Sequence, residues 1–308
     1  MRNGRILALG EPMVEFNQTG AEDGSLYLQG FGGDTSNFAI AAARQGASVG
    51  YVSALGDDVY GGMLRDLWRA EGVDDRLVLT DPRGFTAVYF VTHDADGHHF
   101  SFFRRGSAAS RMRPALLPRE AIGEASVLHL SGISLAISKT ACDAGLAAMD
   151  VARAAGALVS FDTNLRLKLW PVARARRTID AAIARSDICL PSLEDMTALT
   201  GLVEPDAVVD HCLALGARTV ALKMGAEGAW IADAARRVRI APHRCRPVDA
   251  TGAGDVFGGA FVARLVAGDD PESAGRYAAV AAALSTEGYG AVAPIPQAKQ
   301  VLAALKAG

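Results

Sequence analysis

Residues 248–261 read VDATGAGDVFGGAF, and this stretch decides how the rest of the chain is interpreted. Gly252 and Gly254 allow the backbone to turn sharply into a helix. The free N–H groups of the first helical turn then face an anion, with the positive end of the helix dipole behind them. Asp255 lies at the same helix end. The stretch therefore predicts a phosphate-binding turn.

Asp255 adds acid–base chemistry to this turn. From its ordinary pKa we expect the carboxylate to be ionised at neutral pH and to accept a proton from an attacking hydroxyl, while the amides hold the transferring charge. A plain glycine-rich helix cap, with Asp255 only as first-turn charge, stays open as an alternative. The G-x-x-x-x-G-K-[ST] motif is absent, and Gly252, Gly254 and Gly258 miss the G-x-G-x-x-G spacing by one residue. Neither a P-loop enzyme nor a simple dinucleotide-binding protein is indicated.

The composition is that of an ordinary globular protein. The chain has 308 residues, of which 50% are hydrophobic, enough for one large domain or two small ones with an ample core. Its 31 basic and 34 acidic residues give a formal net charge of -3. Because this charge offers no basic surface for nucleic acid or membrane lipids, a small-molecule partner is favoured.

The expected location is the cytoplasm. Cys142, Cys189, Cys212 and Cys245 lie far apart without a C-x-x-C pair, which is typical of reduced thiols. The apolar run at residues 6–9 is too short for a signal peptide, and no later run approaches membrane-spanning length.

Short apolar runs alternate with alanine-rich segments along most of the chain. The runs predict buried strands at 5–9, 49–55, 127–130, 158–161, 188–190 and 219–222. The alanine-rich segments predict helices at 35–45, 60–70, 139–155, 172–184 and 205–215. This alternation predicts an α/β fold, a three-layer α/β/α sandwich with a mostly parallel central sheet and ligands at the carboxyl edge of its strands.

Two segments, at approximately residues 15–31 and 85–104, break this alternation with period-two patterns and no helix. Residues 94–97, DADG, predict a hairpin turn in the second segment. We expect a small β-sheet that covers the site as a lid and excludes water, with an edge extension for subunit packing as the alternative. With no linker or repeat elsewhere, residues 1–308 are assigned to a single domain that contains this lid.

Polar residues stand where such a sheet places ligands. Gly33, Asp34 and Asn37 open a predicted helix and suit polyol recognition. The alternative is that Asp34 or Thr35 only caps the helix and Asn37 begins its polar face. Arg166 follows the strand at 158–161, and its planar fork suits a carboxylate or phosphate, with a surface ion pair as the alternative.

A third cluster follows the strand at 219–222. Lys223, Gly225 and Gly228 form a layout in which glycine backbone can approach a nucleotide, although a simple β-hairpin connection has the same pattern. The adjacent pair His98-His99 is interpreted as part of the lid, because neighbouring strand residues point to opposite faces and do not chelate a metal together.

Four motifs occur in one order over almost the whole chain. They are Gly32-Gly33 with Asn37, Asp162-x-Asn164-x-Arg166, Lys223-x-Gly225-x-x-Gly228 and Asp249-x-Thr251-Gly252-Ala253-Gly254-Asp255. In this arrangement the chain resembles the ribokinase-like (PfkB) carbohydrate kinases. The resemblance implies ATP-dependent phosphorylation of a sugar hydroxyl, in which catalysis rests on positioning and charge stabilisation.

The resemblance also implies roles for individual residues. Asp255 is the implied general base, and the amides of Gly252, Ala253 and Gly254 form the implied anion hole. The implied nucleotide-binding residues are Asn164, Ser192, Lys223, Gly225, Gly228, Thr251, Gly252 and Gly254. The implied sugar-binding residues are Gly33, Asp34, Asn37, Tyr89, Phe103, Arg104, Arg166 and Asp255.

Within the family, the chain most resembles kinases of 2-keto-3-deoxygluconate, and the residues that carry this likeness include Gly10-Glu11-Pro12, Tyr89 and the segment at 102–108. Two arginines, Arg104 and Arg166, suit the carboxylate of a sugar acid. Phe102 and Phe103 stand where those kinases can carry tyrosines, so this chain lacks the hydroxyl donors that tyrosines would supply. A kinase of fructose, ribose or a related acid, or a noncatalytic sugar-binding protein, stays open.

The resemblance implies Mg²⁺ carried mainly by the nucleotide phosphates. The family's N-x-x-E element appears here as Ser192-Leu193-Glu194-Asp195, so Asp195 is the candidate residue on the metal side. A monovalent cation could be held by carbonyls near the glycine turn. The expected partners are a sugar acid, ATP and a second copy of the chain packed through the lid.

Overall fold

The chain forms two β-sheets of different size. The computed structural model describes residues 4–19, 24–94 and 97–307. The strands of the larger sheet are β1 (Arg5–Leu9), β4 (Ser48–Gly56), β5 (Val73–Asp74), β6 (Val78–Asp81), β9 (Val127–Ser131), β10 (Leu158–Asp162), β11 (Ile188–Leu190), β12 (Thr219–Lys223), β13 (Ala229–Ala232) and β14 (Arg237–Ile240). The smaller sheet contains β2 (Met13–Gln18), β3 (Tyr27–Gly32), β7 (Val88–Asp94) and β8 (Gly97–Phe103).

The larger sheet is mostly parallel. Its order is β14-β13-β12-β11-β10-β9-β1-β4-β5, with β6 paired to β4. Every pairing from β12 through β1 to β4, β5 and β6 is parallel, and only β13 and β14 join antiparallel. Parallel strands end at one common edge, so the segments that follow β1, β9, β10 and β12 meet there.

Helices cover both faces of this sheet. They are α1 (Asp34–Arg44), α2 (Val59–Ala70), α3 (Arg119–Glu124), α4 (Gly132–Ala136), α5 (Lys139–Ala154), α6 (Val172–Ile183), α7 (Leu193–Thr200), α8 (Pro205–Leu215), α9 (Ala253–Ala267), α10 (Pro271–Ser285) and α11 (Ala298–Ala307). Alternate residues of β1 face different layers: Leu7 and Leu9 join a core with α5, α6 and α8, whereas Ile6 and Ala8 join a core with α1, α9 and α10.

The predicted α/β/α sandwich is confirmed. The predicted strands at 5–9 and 188–190 and the predicted helix at 205–215 have the bounds found in the structure, and the bounds of the other predicted elements differ by at most one residue. None of the helices in the described ranges combines the length and apolar character needed to cross a bilayer.

The small sheet has the order β3-β2-β7-β8 and contains both segments predicted to leave the sandwich. Asp94 pairs with Gly97, as the predicted hairpin requires, although residues 95 and 96 lie outside the described residues, as do residues 20–23 of the first segment. A separate small sheet is therefore confirmed. The assignment of residues 1–308 to a single domain stays a prediction.

Helix α9 packs closely against α1 because two glycines remove side chains from the contact. A Cβ at Gly259 would lie 2.5 Å from the Phe38 carbonyl oxygen and 2.8 Å from the Ala41 Cβ. At Gly258 a Cβ would lie 3.0 Å from Leu190 and 3.3 Å from the Phe38 ring. This close packing sets the depth at which the first turn of α9 meets the edge of the sheet.

Gly259→Ala should lower the free energy of unfolding by about 1–3 kcal/mol, because the added methyl group meets backbone that cannot yield easily. Gly62 in α2 is the matched control, since a Cβ there would meet nothing within 4 Å. Gly62→Ala should instead raise the free energy of unfolding by about 0.5–1 kcal/mol. Urea denaturation of both variants checks the pair, and equal stability of the two would contradict the packing argument.

Candidate active site

The candidate site lies at the carboxyl edge of the large sheet, where α9 begins. Asp162 is the last residue of β10 and Lys223 the last residue of β12. Their side chains form a buried ion pair, with 5% of the Asp162 side chain and 13% of the Lys223 side chain exposed. Burial is the main influence on Asp162 and raises the pKa of its carboxyl, while the Lys223 ammonium opposes that shift. Asp162 belongs to one of the four sequence motifs, but the sequence did not predict a role for its carboxyl.

The glycine turn is held open in front of α9. Gly252 is the N-cap residue with φ 78°, and no side chain caps the helix. Asp249 fixes the turn by accepting hydrogen bonds from the Thr251 amide at 2.9 Å and hydroxyl at 2.6 Å, and from the Gly290 amide at 2.9 Å. The Ala253 amide, expected in the anion hole, donates to the Ala250 carbonyl oxygen at 3.1 Å. No side chain accepts from the first turn of α9, so its other amides suit an anion.

Asp255 is tied to α1 across the site. Its Oδ2 accepts a hydrogen bond of 2.8 Å from the Asn37 amide group. Burial raises the pKa of Asp255 well above the ordinary value, and the Asp34 carboxylate raises it further, whereas Asn37 and Lys223 lower it. The pKa of Asp255 therefore lies above the ordinary carboxyl value that was assumed from the sequence. Loss of water and a nearby like charge outweigh the favourable helix end.

Asp34 and Asn37 present unpaired acceptors at the same place. Asp34 Oδ2 accepts a hydrogen bond of 3.0 Å from Asn164. The other oxygen of Asp34 and the Asn37 Oδ1 are buried and have no hydrogen-bond partner among the described residues. Because unpaired buried acceptors are costly, this pair suits the hydroxyl donors of a polyol.

The alternative that Asp34 caps α1 is wrong. Gly33 is the N-cap residue, and no side chain makes the cap hydrogen bond. Gly33 has φ 100°, and a Cβ there would lie 2.6 Å from the Glu11 carbonyl oxygen. This glycine is therefore required by backbone geometry and close approach.

The loop after β10 is held by residues that were predicted to serve the nucleotide and the metal. Ser192 caps α7 by accepting from the Asp195 amide at 3.1 Å, and Asp195 Oδ2 accepts from the Leu165 amide at 3.1 Å. Asn164 in this loop has φ 25°, an uncommon value for a residue other than glycine. Across residues 4–19, 24–94 and 97–307, no three His, Cys, Asp or Glu side chains converge on a metal position.

Arg166 projects from the same loop and is exposed. Its Nη1 donates to the Leu165 carbonyl oxygen at 2.7 Å. No carboxylate of the described chain pairs with its guanidinium, so the alternative of a surface ion pair is not what the structure shows. The guanidinium keeps donors available at the edge of the sheet where the Asp34 and Asp255 carboxyls also lie.

The segment after β12 is a β-hairpin connection, as the alternative interpretation stated. Strands β12 and β13 pair antiparallel, with Lys223 opposite Ala229. Gly228 has φ 89°, and a Cβ there would lie 2.1 Å from the Ile240 carbonyl oxygen. A Cβ at Gly254 would lie 3.5 Å from the Lys223 Nζ, which places this ammonium beside the glycine turn.

Strand pairing separates two of the predicted sugar-binding residues. Tyr89 pairs with Phe102, whereas Phe103 pairs with Val88. The ring centroids of Phe103 and Phe90 are 5.8 Å apart. Phe103 therefore lies on the opposite face of the small sheet from Tyr89, and its sugar-binding role stays a prediction. The cause is the period-two alternation of a strand, which puts Phe102 on the face of Tyr89.

Tyr89 and Arg104 have buried carboxylate partners that sequence reasoning missed. The Tyr89 hydroxyl donates to Glu15. Arg104 donates through Nε to Glu11 at 2.7 Å, and the Ser107 hydroxyl donates to the other oxygen of Glu11. Burial raises the pKa of Glu11, and Arg104 opposes this shift. A charged residue two positions after the apolar run at 5–9 was the available signal for Glu11.

The chain belongs to the pfkB family of carbohydrate kinases, because the model of that family matches residues 5–298. Fructokinase-1 of Oryza sativa subsp. japonica is 35% identical over 318 residues, covering 98% of this chain and 97% of that protein. A 2-dehydro-3-deoxygluconokinase of Thermoproteus tenax is 33% identical over 317 residues, covering 98% of this chain and 94% of that protein.

Solved structures agree with this assignment. A fructokinase from Xylella fastidiosa with bound ATP superposes with a TM-score of 0.91 at 25% identity, covering 99% of this chain and 98% of that chain. A PfkB protein from Polaromonas sp. JS666 gives a TM-score of 0.88 at 33% identity, covering 97% and 99%. The resemblance drawn from the motifs is thus confirmed at the level of family and fold.

Substitutions at Asp34 and Asn37 should move the pKa of Asp255 in opposite directions. Asp34→Asn removes a like charge and should lower this pKa, whereas Asn37→Ala removes the donor that stabilises the ionised carboxylate and should raise it. Carbon-13 NMR of labelled aspartate carboxyls, with the Asp255 signal assigned from Asp255→Asn, measures both shifts. Asp66→Asn, at an exposed position of α2, should leave the signal unmoved. Shifts of the same sign would contradict the electrostatic account.

Proposed function

We propose that this chain is an ATP-dependent sugar kinase in which Asp255 removes the proton from the attacking sugar hydroxyl. The observation that carries the proposal is the position of the Asp255 carboxyl beside the uncapped amides of α9, held by Asn37 at 2.8 Å. A base and an anion hole then lie within one helical turn. Burial raises the pKa of Asp255, and a higher pKa makes a carboxylate a stronger proton acceptor.

The nucleotide would lie along the glycine turn and the hairpin after β12. The Lys223 ammonium beside Gly254 supplies positive charge, and Gly252 and Gly254 supply backbone amides, whereas the Thr251 amide donates to Asp249 and holds the turn. Gly225 and Gly228 leave backbone without side chains on the hairpin. Support also comes from a structural neighbour from E. coli, a putative ribokinase II in complex with ATP and Mg²⁺, with a TM-score of 0.90 at 25% identity.

The residues present fit a magnesium ion that the nucleotide phosphates carry. Asp162 is paired with Lys223, and one oxygen of Asp195 already accepts from Leu165. The second oxygen of Asp195 is the protein ligand we propose for the metal side, while Mg²⁺ neutralises phosphate charge when it is bound. Activation by a monovalent cation stays a prediction, as does pairing of two copies through the lid.

The proposed substrate is the sugar acid 2-keto-3-deoxygluconate, phosphorylated to 2-keto-3-deoxy-6-phosphogluconate. Arg166 supports an acid because its guanidinium has no carboxylate partner in the described chain, and an arginine fork binds a carboxylate through two parallel hydrogen bonds. The unpaired acceptors of Asp34 and Asn37 suit the sugar hydroxyls. The relative from Thermoproteus tenax carries the same substrate class in its name.

Fructose is the second candidate, and one contact favours it. Arg104, the other arginine expected to bind the acid, already pairs with Glu11, whose side chain is 0% exposed. That pair neutralises one of the two charges on which the acid hypothesis rests. Several relatives are named fructokinases, including those of Oryza sativa subsp. japonica and Zea mays.

Asp255→Asn should lower kcat by about 10²–10⁴-fold, because the amide cannot accept the hydroxyl proton. ADP release with MgATP and each sugar measures turnover, and circular dichroism checks the fold. Asp66→Asn is the control, since it makes the same chemical change at an exposed position of α2. Full turnover by Asp255→Asn would remove Asp255 from the role of base.

Arg166→Gln should lower kcat/KM for 2-keto-3-deoxygluconate by about 10–100-fold, the range expected for losing a hydrogen-bonded charge pair, and should leave kcat/KM for fructose nearly unchanged. Lys168→Gln removes an equal charge from an exposed position of the same loop and serves as the control. The assay compares 2-keto-3-deoxygluconate, 2-keto-3-deoxygalactonate, gluconate, fructose and ribose. A preference for fructose that Arg166→Gln does not alter would keep the kinase and overturn the acid substrate.

A further inference from the structure

An open cleft of about 710 Å³ lies beside the lid and contains none of the residues assigned to the kinase site. One wall is formed by residues 79–83, at the end of β6, and the other by residues 106–113, which follow β8. Ser138 and Thr140 close its third side. Its volume falls within the range typical of small-molecule sites.

The cleft has an excess of positive charge. Arg83, Arg111 and Arg113 line it, against a single carboxylate, Asp81. Asp81 is shared between Arg111 at 2.8 Å and Arg83 at 3.7 Å. Arg113 has no ion-pair partner in the described part of the chain. Three arginines and a single carboxylate along one cleft suit a ligand with two or more negative charges, such as a phosphate.

The remaining lining suits a polyol attached to that phosphate. The Ser138 hydroxyl donates to the Ser110 carbonyl oxygen at 2.6 Å, and the Thr140 hydroxyl donates to the same oxygen at 3.2 Å. Since the Thr140 hydrogen is used, its oxygen is left to act as an acceptor in the cleft, whereas the Ser138 oxygen already accepts from the Ala141 amide at 2.9 Å as the N-cap of α5. Leu79, Pro82 and Leu116 add apolar surface.

The cleft touches both chain segments that join the lid to the sandwich. Pro82 and Arg83 lie just before the second lid segment, and Gly106 and Ala108 just after it. The two segments are clamped by a hydrogen bond of 2.9 Å from the Ala108 amide to the Phe85 carbonyl oxygen. A ligand in the cleft would therefore contact both ends of the lid hairpin at once.

We propose that the cleft binds a phosphorylated small molecule of the sugar phosphate class, and that its binding changes the affinity of the kinase site for sugar through the lid. The binding part of this proposal does not depend on which sugar the enzyme phosphorylates. Coupling of two sites through a shared hinge is reciprocal, so the sugar would alter binding in the cleft by the same factor.

Equilibrium dialysis of the full-length enzyme tests the site, with radiolabelled glucose 6-phosphate as the probe. The kinase site is first filled with Mg²⁺, a nonhydrolysable ATP analogue and the sugar that gives the highest turnover. We expect one bound probe per chain, and at least about tenfold weaker binding in Arg113→Gln and Arg111→Gln. Arg119→Gln, at an exposed position outside the cleft, should bind like the wild type.

Parallel arms with ADP and inorganic phosphate distinguish the source of the phosphate. A sugar phosphate is supported if glucose 6-phosphate binds more tightly than ADP and more tightly than inorganic phosphate, and if this binding depends on the arginines. Tighter binding of ADP or of inorganic phosphate overturns that class. Binding that Arg113→Gln does not weaken overturns the site itself. The coupling is tested by the KM for the sugar, which the probe should shift by about fivefold or more in the wild type and not in Arg113→Gln. An unchanged KM in the wild type overturns the coupling.

Discussion

The hydrogen bond from Asn37 to Asp255 is the contact on which the geometry of the candidate site depends. It joins the first turns of α1 and α9, which are 218 positions apart in sequence. The glycines of α9 let the two helices approach closely enough for this bond to form. The loop before α9 and the glycine before α1 both allow the Asn37–Asp255 hydrogen bond, because each brings a helix N-terminus to the same edge of the sheet.

The electrostatics of the site are unfavourable without a ligand. Asp34, Asp162 and Asp255 lie near one another, and the Lys223 ammonium is their nearest described cation partner. Burial opposes the ionised forms of Asp162 and Asp255, and the negative charge of neighbouring carboxylates adds to that cost. Such instability is common where binding and proton transfer take place, because a ligand can satisfy groups that the protein leaves unpaired.

Much of the fold could be predicted because local patterns and tertiary structure agree. The run at 188–190 is apolar on both sides, as a strand covered by two helical layers must be, and the Ala-rich segment at 205–215 has a proline at its first turn. The antiparallel strands β13 and β14 were not predicted as such, because their short alternating pattern also fits a loop. Local sequence does not specify which strand an edge segment will join.

The site was less predictable than the fold, for reasons that particular residues show. Asp255, Asn37 and Lys223 were found because glycines and strand ends mark their positions. The face on which Phe103 lies could not be predicted, because it depends on the register of β8 with β7. The pairing of Glu11 with Arg104 and of Glu15 with Tyr89 was missed because the partners are distant in sequence, and only folding brings a buried acid to each.

The distance in sequence between α1 and α9 also has a consequence during synthesis. Strand β1 is central in the sheet and is among the first segments to leave the ribosome, yet α9 and α10, which cover it on one face, come after residue 252. Until they emerge, Ile6, Ala8 and Phe38 lack much of their apolar cover. Such delayed long-range packing slows folding and leaves apolar, aggregation-prone surface exposed. A nascent chain of this topology therefore depends on remaining shielded until its last third has been translated.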